Sequence, residues 1–548
     1  MTDTAFVVPE PPEAPRRWRG DPFLFAYAVL APLYLAPLVV THLLPSFDLP
    51  HHLAIADALL KSGAPDSPYA HDFVVGLRPA PFILHFLVLS TLGRVMTLAL
   101  AARLLVGALV LALPLATARL LTACGRPRFV AVLAFPLVCA MPLHFGFVAF
   151  VTALPFLIWT IALAADDRAW HTSPQRTAWL LGATSSLLWF SHLEAWAVGV
   201  AAACGAIAVG RRASATRIAG LAALAPSVAL SAWYLIANRV ERHASGAPSF
   251  IEALVRARIE DLREHSVLTD LVGRLSVLPV HLLRGFVDGT DLVTSRLLWA
   301  LVLAGLLITA FTPRRLRRAY VSRAALASAA VVLLAYLGLP HHALPDAYSV
   351  YPRFAVVLLI ALLPLLPDVR PWRPLVRNGL ALGVMAILAA HALNLRYEYS
   401  AFAAEVRDFE SLVASAPPNL AAGGLVFDAE SAVMDVGGIF TGVPAYVVAV
   451  RRDARSSTWL YYCGFPQMPC RMRDAGAAPL PEPNRPEQFN AQRGLDALQL
   501  LYVRGGPSAS QIFGARQPRA RLLAQQGRWR LFERVTPGPP PTPVYFPR

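Results

Sequence analysis

Apolar residues run through the first 394 positions of the chain in long segments that carry almost no charge. Most of these segments are about 16 to 24 residues long, the length that a helix needs to cross about 30 Å of hydrocarbon. The predicted spans are 23–44, 98–121, 128–143, 147–165, 178–191, 193–209, 217–237, 295–311, 321–339, 352–367 and 376–394. A further segment, 81–96, is marginal, so the pattern predicts about eleven to thirteen transmembrane helices.

The pattern changes after residue 394, where short apolar runs are separated by turn residues. Runs of this length between turns are typical of strands. The runs that predict strands are 424–428, 445–450 and 498–504. The predicted fold is therefore an all-α polytopic membrane bundle at 23–394, preceded by a tail at 1–22 and followed by an α/β or α+β domain at 395–536. The last residues, 537–548, are rich in proline and are predicted to be disordered.

Composition agrees with a membrane protein, since 56% of the 548 residues are hydrophobic and 15% are charged. The mean hydropathy is +0.51, far above that of a soluble domain. The formal net charge of +15 does not indicate nucleic acid, because Lys61 is the one lysine and the arginines lie in short loops between apolar runs. Membrane lipids are the expected surroundings, and nucleic acid is not a predicted partner.

The arginines predict the orientation of the chain, since short loops rich in Lys and Arg stay in the cytoplasm. Arg16, Arg17 and Arg19 place the N-terminal tail there. The other cytoplasmic loops are Arg119 to Arg128, Arg211 to Arg217, Arg314 to Arg323 and Arg370 to Arg377. The predicted external segments are 45–80, 238–294, 340–351 and the C-terminal domain. For a bacterial inner membrane, that domain is periplasmic.

The marginal segment 81–96 conflicts with this orientation if it crosses the membrane fully, because Arg119 to Arg128 would then be external. We therefore interpret 81–96 as half-inserted. Of the cysteines, Cys463 and Cys470 lie in the external domain, where an oxidising periplasm allows a disulfide. Two unpaired thiols fit equally well. A zinc site is not indicated, because no second His or Cys pair accompanies them.

The loop 45–80 contains a segment in which Leu49, Leu53, Ala56 and Leu60 recur at helical spacing. Pro50 suits the first turn of a helix and Gly63 suits a C-terminal cap. The segment predicts a short amphipathic helix that lies on the membrane surface. The second long external loop, 238–294, predicts one or two further surface helices.

Ionisable residues collect at the predicted external ends of the spans. They are Asp48, His51, His52, His144, His192, Glu194, His341, His342, Asp346 and Arg353. Charged groups cost about 2.5 to 3.5 kcal/mol at mid-span, so groups kept at span ends suggest function. Such a cluster suits an amphipathic, phosphorylated substrate. Simpler roles remain open: Asp48 as a helix N-cap, His51 and His52 as interfacial residues, His192 and Glu194 in a tight turn, and Arg353 as a snorkelling side chain.

Several short motifs resemble those of the GT-C superfamily of membrane glycosyltransferases, particularly the RgtA/B/C/D-like, aminoarabinose-transferase and protein-mannosyltransferase kinds. The motifs are Phe47 to Ala54, His144 to Pro155, Phe190-Ser191-His192, Pro352-Arg353-Phe354, Ala497 to Gly505 and Gly527 to Phe532. The first is similar to the family's first-loop acid followed by a helix. The last two are similar to the closing strands of a periplasmic domain.

The resemblance implies that Asp48 is the catalytic acid, which would deprotonate or orient the acceptor hydroxyl or hold a divalent metal. His51, His52 or Arg353 would bind the phosphate of a polyprenyl-phosphate-linked sugar, and transfer to a lipid, glycan or protein acceptor would invert the anomeric centre. Many members have two adjacent acids in this loop, whereas Leu49 follows Asp48 here. A metal is therefore a possibility rather than a requirement, and no other cofactor is implied.

Two other functions are compatible with the same spans. A catalytically silent relative would bind a lipid or assemble a glycan complex without transfer. A transporter or flippase would also contact lipid phosphates, but the two halves of the chain are not alike, and no spans are interrupted at matched positions.

Reporter fusions test the predicted orientation. Fusions after Arg318 and Arg373 should report the cytoplasm, and fusions after Asp346 and Gly424 should report the periplasm, because the arginine-rich loops stay inside. A cytoplasmic signal from the Gly424 fusion would place the C-terminal domain and the ionisable cluster on opposite sides, contrary to the prediction.

Overall fold

The computed structural model describes most of the chain in several stretches. They are 21–61, 73–75, 79–244, 250–264, 266–313, 321–342, 348–418, 420–456, 470–472 and 485–535. Asp346, Cys463 and the segment 537–548 lie outside the described residues. The predicted pairing of Cys463 with Cys470 therefore stays a prediction.

Most of the described residues up to residue 415 are in helices. Their bounds are α1 (Pro22–Val40), α2 (Leu49–Lys61), α3 (Leu84–Gly93), α4 (Leu98–Ala123), α5 (Met141–His144), α6 (Val148–Ala165), α7 (Asp167–Thr172), α8 (Pro174–Ser191), α9 (Leu193–Val209), α10 (Ser214–Ala244), α11 (Phe250–Glu264), α12 (Val267–Ser276), α13 (Leu278–Leu283), α14 (Thr290–Phe311), α15 (Arg323–Gly338), α16 (Phe354–Leu362) and α17 (Pro374–Ser415). Among its described residues, the segment 238–294, which was predicted to be external, holds three complete helices, α11 to α13, rather than the one or two predicted.

Within the described residues, six helices are long and apolar enough to cross a membrane, namely α1, α4, α6, α10, α14 and α17. Shorter apolar helical segments accompany them at Leu84–Gly93, Arg128–His144, Leu193–Val209, Arg323–Gly338 and Phe354–Leu365. Helix α6 is the most enclosed, with 89% of its apolar window buried. The predicted polytopic helical bundle is confirmed.

The segment predicted as a span at 128–143 is apolar and helical, but it is not one regular α-helix. This segment forms a 3-10 helix, Arg128–Leu137, followed by the four-residue helix α5. Pro136 and Pro142 lack backbone donors and so interrupt a regular α-helix. Residues 131 to 144 are all buried, so the segment fills the core of the bundle.

The marginal segment 81–96 contains the ten-residue helix α3. At 1.5 Å per residue, such a helix reaches about 15 Å, half of the hydrocarbon thickness. A length of this kind is compatible with the half-inserted interpretation, which stays a prediction.

The arginine loops that were predicted to be cytoplasmic meet at one end of the bundle. Arg119, in the last turns of α4, pairs with Asp166 at the end of α6. Arg212, after α9, pairs with Asp167 at 2.6 Å. Helix α6 is 18 residues long, so its first residue lies about 27 Å from this end. The turn that carries Asp48, in the loop predicted to be external, lies at that opposite end.

Helix α17 continues past residue 395 without a break and links the bundle to the C-terminal domain. Phe409, near its end, packs against the rings of Tyr502 and Trp529 at centroid distances of 5.3 Å and 5.0 Å. The domain also contains short helices, α18 (Val447–Val450), α19 (Ala491–Ala497) and α20 (Ala509–Phe513). The α/β or α+β class predicted for this domain is confirmed.

The strands of the described residues are β1 (Phe73–Val75), β2 (Ala421–Val426), β3 (Arg455–Ser456), β4 (Cys470–Met472), β5 (Leu500–Arg504), β6 (Ala520–Gln526) and β7 (Trp529–Arg534). The C-terminal domain is built on a mixed five-stranded sheet of order β3-β2-β5-β7-β6. Strand β2 is parallel to β3 and β5, while β7 is antiparallel to β5 and β6. Strands β1 and β4 form a separate antiparallel pair.

The strand predicted at 445–450 is wrong. The chain instead forms a 3-10 helix at Val443–Tyr446 and then α18. All residues from 443 to 449 are buried. A short, fully buried apolar run does not distinguish strand from helix by its periodicity.

The helix predicted after Pro50 is present as α2, but it does not lie free on a membrane surface. Leu49, Leu53 and Ala56 are buried, as is most of the rest of the helix. The C-terminal domain covers it: Lys61 Nζ donates to the Ala454 carbonyl at 3.0 Å, and Gly442 lies beside Pro50 and His51. The apolar face predicted to contact lipid therefore contacts protein.

Candidate active site

The turn that carries Asp48 is held against the segment between α5 and α6. The Ser46 hydroxyl donates to the Leu143 carbonyl at 2.6 Å, and the Phe47 amide donates to the His144 carbonyl at 2.8 Å. Gly146 has a positive φ of 91°, and a Cβ atom there would collide with the backbone of Asp48. Two independent reasons therefore favour glycine at this position: the left-handed backbone conformation and the close contact with Asp48.

Asp48 is a half-buried residue, and its carboxyl group makes no hydrogen bond to any residue that the structure describes. The amides of His51 and His52 bond the backbone carbonyl of Asp48 instead of its side chain, so the N-cap role is not supported. Burial raises the pKa of Asp48 to about 7, and the nearby charge of Arg353 partly opposes this rise. Near neutral pH, this carboxyl can therefore gain or lose a proton.

Arg353 lies immediately before α16, with its side chain turned into the bundle and only 8% of the residue exposed. Its guanidinium group donates to the Tyr348 carbonyl and stacks on the ring of Phe147 at 3.6 Å. Its Nη1 atom is 3.4 Å from His192 Nε2 and 3.9 Å from Glu194 Oε2. A snorkelling arginine would extend towards water, so this placement favours a binding role over snorkelling.

The contact between Arg353 and His192 brings two donors together. His192 caps α9, where its Nδ1 atom accepts a hydrogen bond from the Ala195 amide at 3.3 Å. In the neutral ring, the proton is then on Nε2, which faces the Nη1 donor of Arg353. Two donors cannot bond each other, so both are available to one acceptor. An oxyanion is the ligand that satisfies this arrangement.

Strained backbone conformations occur next to His192 and Arg353. Among the described residues, the non-glycine residues with positive φ are Phe82 and Ser349, at 68° and 52°. The Phe82 ring packs edge-on against His192 at 4.6 Å, and Ser349 follows Tyr348, whose carbonyl accepts from Arg353. Strained non-glycine residues cluster at functional sites, where the surrounding structure holds them in place.

His85 was missed by the sequence analysis. It lies in α3, is fully buried, and its Nε2 atom is 3.0 Å from Nδ1 of His52. The His52 ring also hydrogen bonds the backbone of Gly146, so His52 links α2 to α3 and to the Gly146 turn. The available signal was an ionisable residue inside a marginal apolar segment.

The structure brings Asp48, His192, Glu194 and Arg353 together, but it does not bring all the predicted residues to this place. The His51 ring faces Gly442 of the C-terminal domain. The His144 ring instead contacts α17, where its Nε2 atom is 3.3 Å from the Tyr399 hydroxyl.

The rings of His341 and His342 hydrogen bond each other at 2.8 Å and do not form part of the group around Arg353. Their rings pack on Tyr351 and Tyr348, respectively. Asp346 is outside the described residues. The pair therefore borders the loop that carries Arg353 without contacting the guanidinium group.

In the part of the chain that the structure describes, no three His, Cys, Asp or Glu side chains lie close enough to share a metal ion. A divalent metal on Asp48, which the resemblance allows, would need further ligands from substrate and water.

The crystal structure of ArnT from Cupriavidus metallidurans bound to undecaprenyl phosphate superimposes on 93% of this chain and 97% of its own, with a TM-score of 0.51 and 12% sequence identity. The chain has the fold of ArnT. The predicted polytopic helical bundle with a C-terminal α/β or α+β domain is therefore also the fold of a known solved structure. No protein-family model matches the sequence, and no curated protein matches it.

A second solved structure is similar to the chain, the cryo-EM structure of the arabinofuranosyltransferase AftD from Mycobacteria. The superposition includes 96% of this chain and 42% of the AftD chain, with a TM-score of 0.47 and 16% sequence identity. In the ArnT-like fold, Asp48 follows the first span and Arg353 begins a later apolar helix, so distant parts of the sequence form the site.

Replacing Gly146 with alanine tests how the Asp48 turn is held. Gly146→Ala should lower the free energy of unfolding by about 2 kcal/mol or more, because the left-handed backbone and the collision with Asp48 both oppose a Cβ atom. Thermal unfolding of the purified protein measures the loss, and amide exchange at residues 47–52 locates it. Gly383→Ala, in α17 with open space around it, is the matched control. Equal unfolding temperatures in the two variants would contradict the described contact.

Proposed function

We propose that the chain is an inverting glycosyltransferase of the bacterial inner membrane. It moves a sugar from a polyprenyl-phosphate donor to a hydroxyl group of a lipid, glycan or protein acceptor on the periplasmic face. The observation that carries the proposal is the position of the Asp48 carboxyl group, which makes no hydrogen bond among the described residues and interacts electrostatically with Arg353. Arg353 Nη1 and His192 Nε2, two hydrogen-bond donors, face each other at the same place.

The donor phosphate binds to Arg353 and His192. Arg353 offers a planar fork that can engage two phosphate oxygens, and His192 adds the Nε2 proton. The N-terminus of the nine-residue helix α16 adds its positive dipole end. The bound lipid of the ArnT structure, undecaprenyl phosphate, has this chemistry and supports a polyprenyl phosphate as the ligand here.

Asp48 acts as the general base. Its carboxylate form takes the proton from the acceptor hydroxyl while the hydroxyl oxygen bonds to the anomeric carbon. The bond from that carbon to the phosphate oxygen breaks at the same time, and the phosphate leaves with the electron pair. Arg353 and His192 stabilise the departing charge. Attack opposite the leaving group inverts the anomeric centre, and none of these steps needs a metal.

Two observations favour transfer over the alternative functions. A silent lipid-binding relative would use Arg353 and His192 but has no need for an unbonded carboxyl group next to them. A transporter would need ionisable groups along a path through the bundle. Here the ionisable residues gather around Arg353, which stacks on Phe147 at one end of α6.

Binding of undecaprenyl phosphate tests the phosphate site. Arg353→Ala should weaken binding by roughly 1.5 to 3 kcal/mol, the contribution of a charged hydrogen-bonding partner. Arg353→Lys should weaken it less but measurably, because lysine offers one point charge in place of the fork. Microscale thermophoresis on the full chain in nanodiscs measures both affinities.

Arg373→Lys is the matched control, since Arg373 also precedes an apolar helix, α17, but is exposed. Its affinity should equal that of the wild type. If Arg353→Lys also binds like the wild type, Arg353 is a snorkelling residue and the proposed phosphate site is wrong.

A further inference from the structure

Glu194 is a buried acid that the proposed transfer reaction does not use. It is the second residue of α9, and 9% of its side chain is exposed. Its Oε2 atom has no hydrogen-bond partner among the described residues. The nearest charged atom, Arg353 Nη1, lies 3.9 Å away, which is beyond hydrogen-bonding distance.

This unfilled acceptor needs an explanation. A carboxylate oxygen that loses water on burial destabilises the protein unless a donor replaces that water. The neighbouring guanidinium group is already engaged with the Tyr348 carbonyl and the Phe147 ring, and its Nη1 faces His192. An unsatisfied acceptor, Glu194 Oε2, therefore lies beside two unsatisfied donors, Arg353 Nη1 and His192 Nε2.

The unsatisfied acceptor and the two unsatisfied donors restrict the chemical groups that a ligand can carry. A phosphate group offers acceptor oxygens and negative charge, so it satisfies Arg353 and His192 but repels Glu194. A hydroxyl group satisfies Glu194 by donating its proton. One molecule that carries both groups next to each other is a sugar joined to a phosphate.

We infer that Glu194 accepts a hydrogen bond from a hydroxyl group of the donor's sugar and so selects the glycosylated lipid over the bare polyprenyl phosphate. This inference rests on the proposed function and assigns Glu194 the part of a specificity-determining residue. The phosphate lies on the Arg353 and His192 side, and the sugar extends towards Glu194.

The same placement affects product release. The donor is a phosphodiester with one negative charge, whereas the product is a phosphate monoester that carries about 1.5 to 2 charges at neutral pH. Transfer also removes the hydroxyl groups that bonded Glu194. The product therefore meets a stronger repulsion from Glu194 with no compensating hydrogen bond, and it binds more weakly than the donor.

Binding of two kinds of lipid to the full chain in nanodiscs tests the inference. The probes are undecaprenyl phosphate and a panel of undecaprenyl-phosphate-linked hexoses and pentoses. The wild type should bind at least one glycosylated lipid about tenfold more tightly than the bare lipid, as expected for one hydrogen bond to a charged group. Glu194→Met should remove this preference by weakening the glycosylated lipid and strengthening the bare one.

Two further variants separate this role from others. Glu194→Gln keeps an acceptor oxygen and should retain part of the preference. Glu398→Met, at a buried acid of α17 whose charged neighbour is Asp288 and not Arg353, should leave both affinities unchanged. Equal weakening of both lipids by Glu194→Met would show that Glu194 merely positions Arg353, and would overturn the inference.

The wild-type protein alone distinguishes the inference from the proposed function. If it binds the bare lipid and no glycosylated lipid more tightly, the phosphate site stands and the selection by Glu194 is wrong. If it binds neither lipid, the proposed function fails and the inference with it.

Discussion

The buried guanidinium group of Arg353 is the charge around which one end of the helical bundle is arranged. A cation that loses water must be stabilised by other groups, and here these come from four separate parts of the chain. Tyr348 supplies a carbonyl, Phe147 the face of its ring, and Glu194 an opposite charge at 3.9 Å. Asp48 interacts with the same charge from the first loop. The ends of α6, α9 and α16 therefore meet at this point because they share one cation.

The C-terminal domain completes this arrangement from outside. Gly442 lies so close to the Phe47 carbonyl that a Cβ atom would collide with it, and Tyr446 bonds the Leu44 carbonyl. Gly146 contacts Asp48 from the other side. The turn that carries Asp48 is thus enclosed between the bundle and the domain. This enclosure removes water from the carboxyl group and raises its pKa, which suits a base that operates near neutral pH.

Part of this site could be predicted from the sequence. Asp48, His192, Glu194 and Arg353 stand out because ionisable groups are costly near hydrocarbon, and the structure brings them together. His85 was missed since it lies inside an apolar segment that looked like a half-inserted helix. His144 lies at the same end of the bundle as Asp48, but no sequence pattern shows which neighbours its ring will contact. The buried run 443–450 formed helices rather than a strand because the domain and α2 enclose it, which is a tertiary effect.

Sugar transfer by Asp48→Asn tests the central claim most directly. The wild type should transfer sugar from an undecaprenyl-phosphate-linked donor, and its rate should rise as pH increases through about 7, because the carboxyl with a pKa of about 7 must lose its proton to act as a base. Asp48→Asn is nearly isosteric and should bind undecaprenyl phosphate normally while transfer is abolished at every pH. Transfer by Asp48→Asn at the wild-type rate would contradict the account.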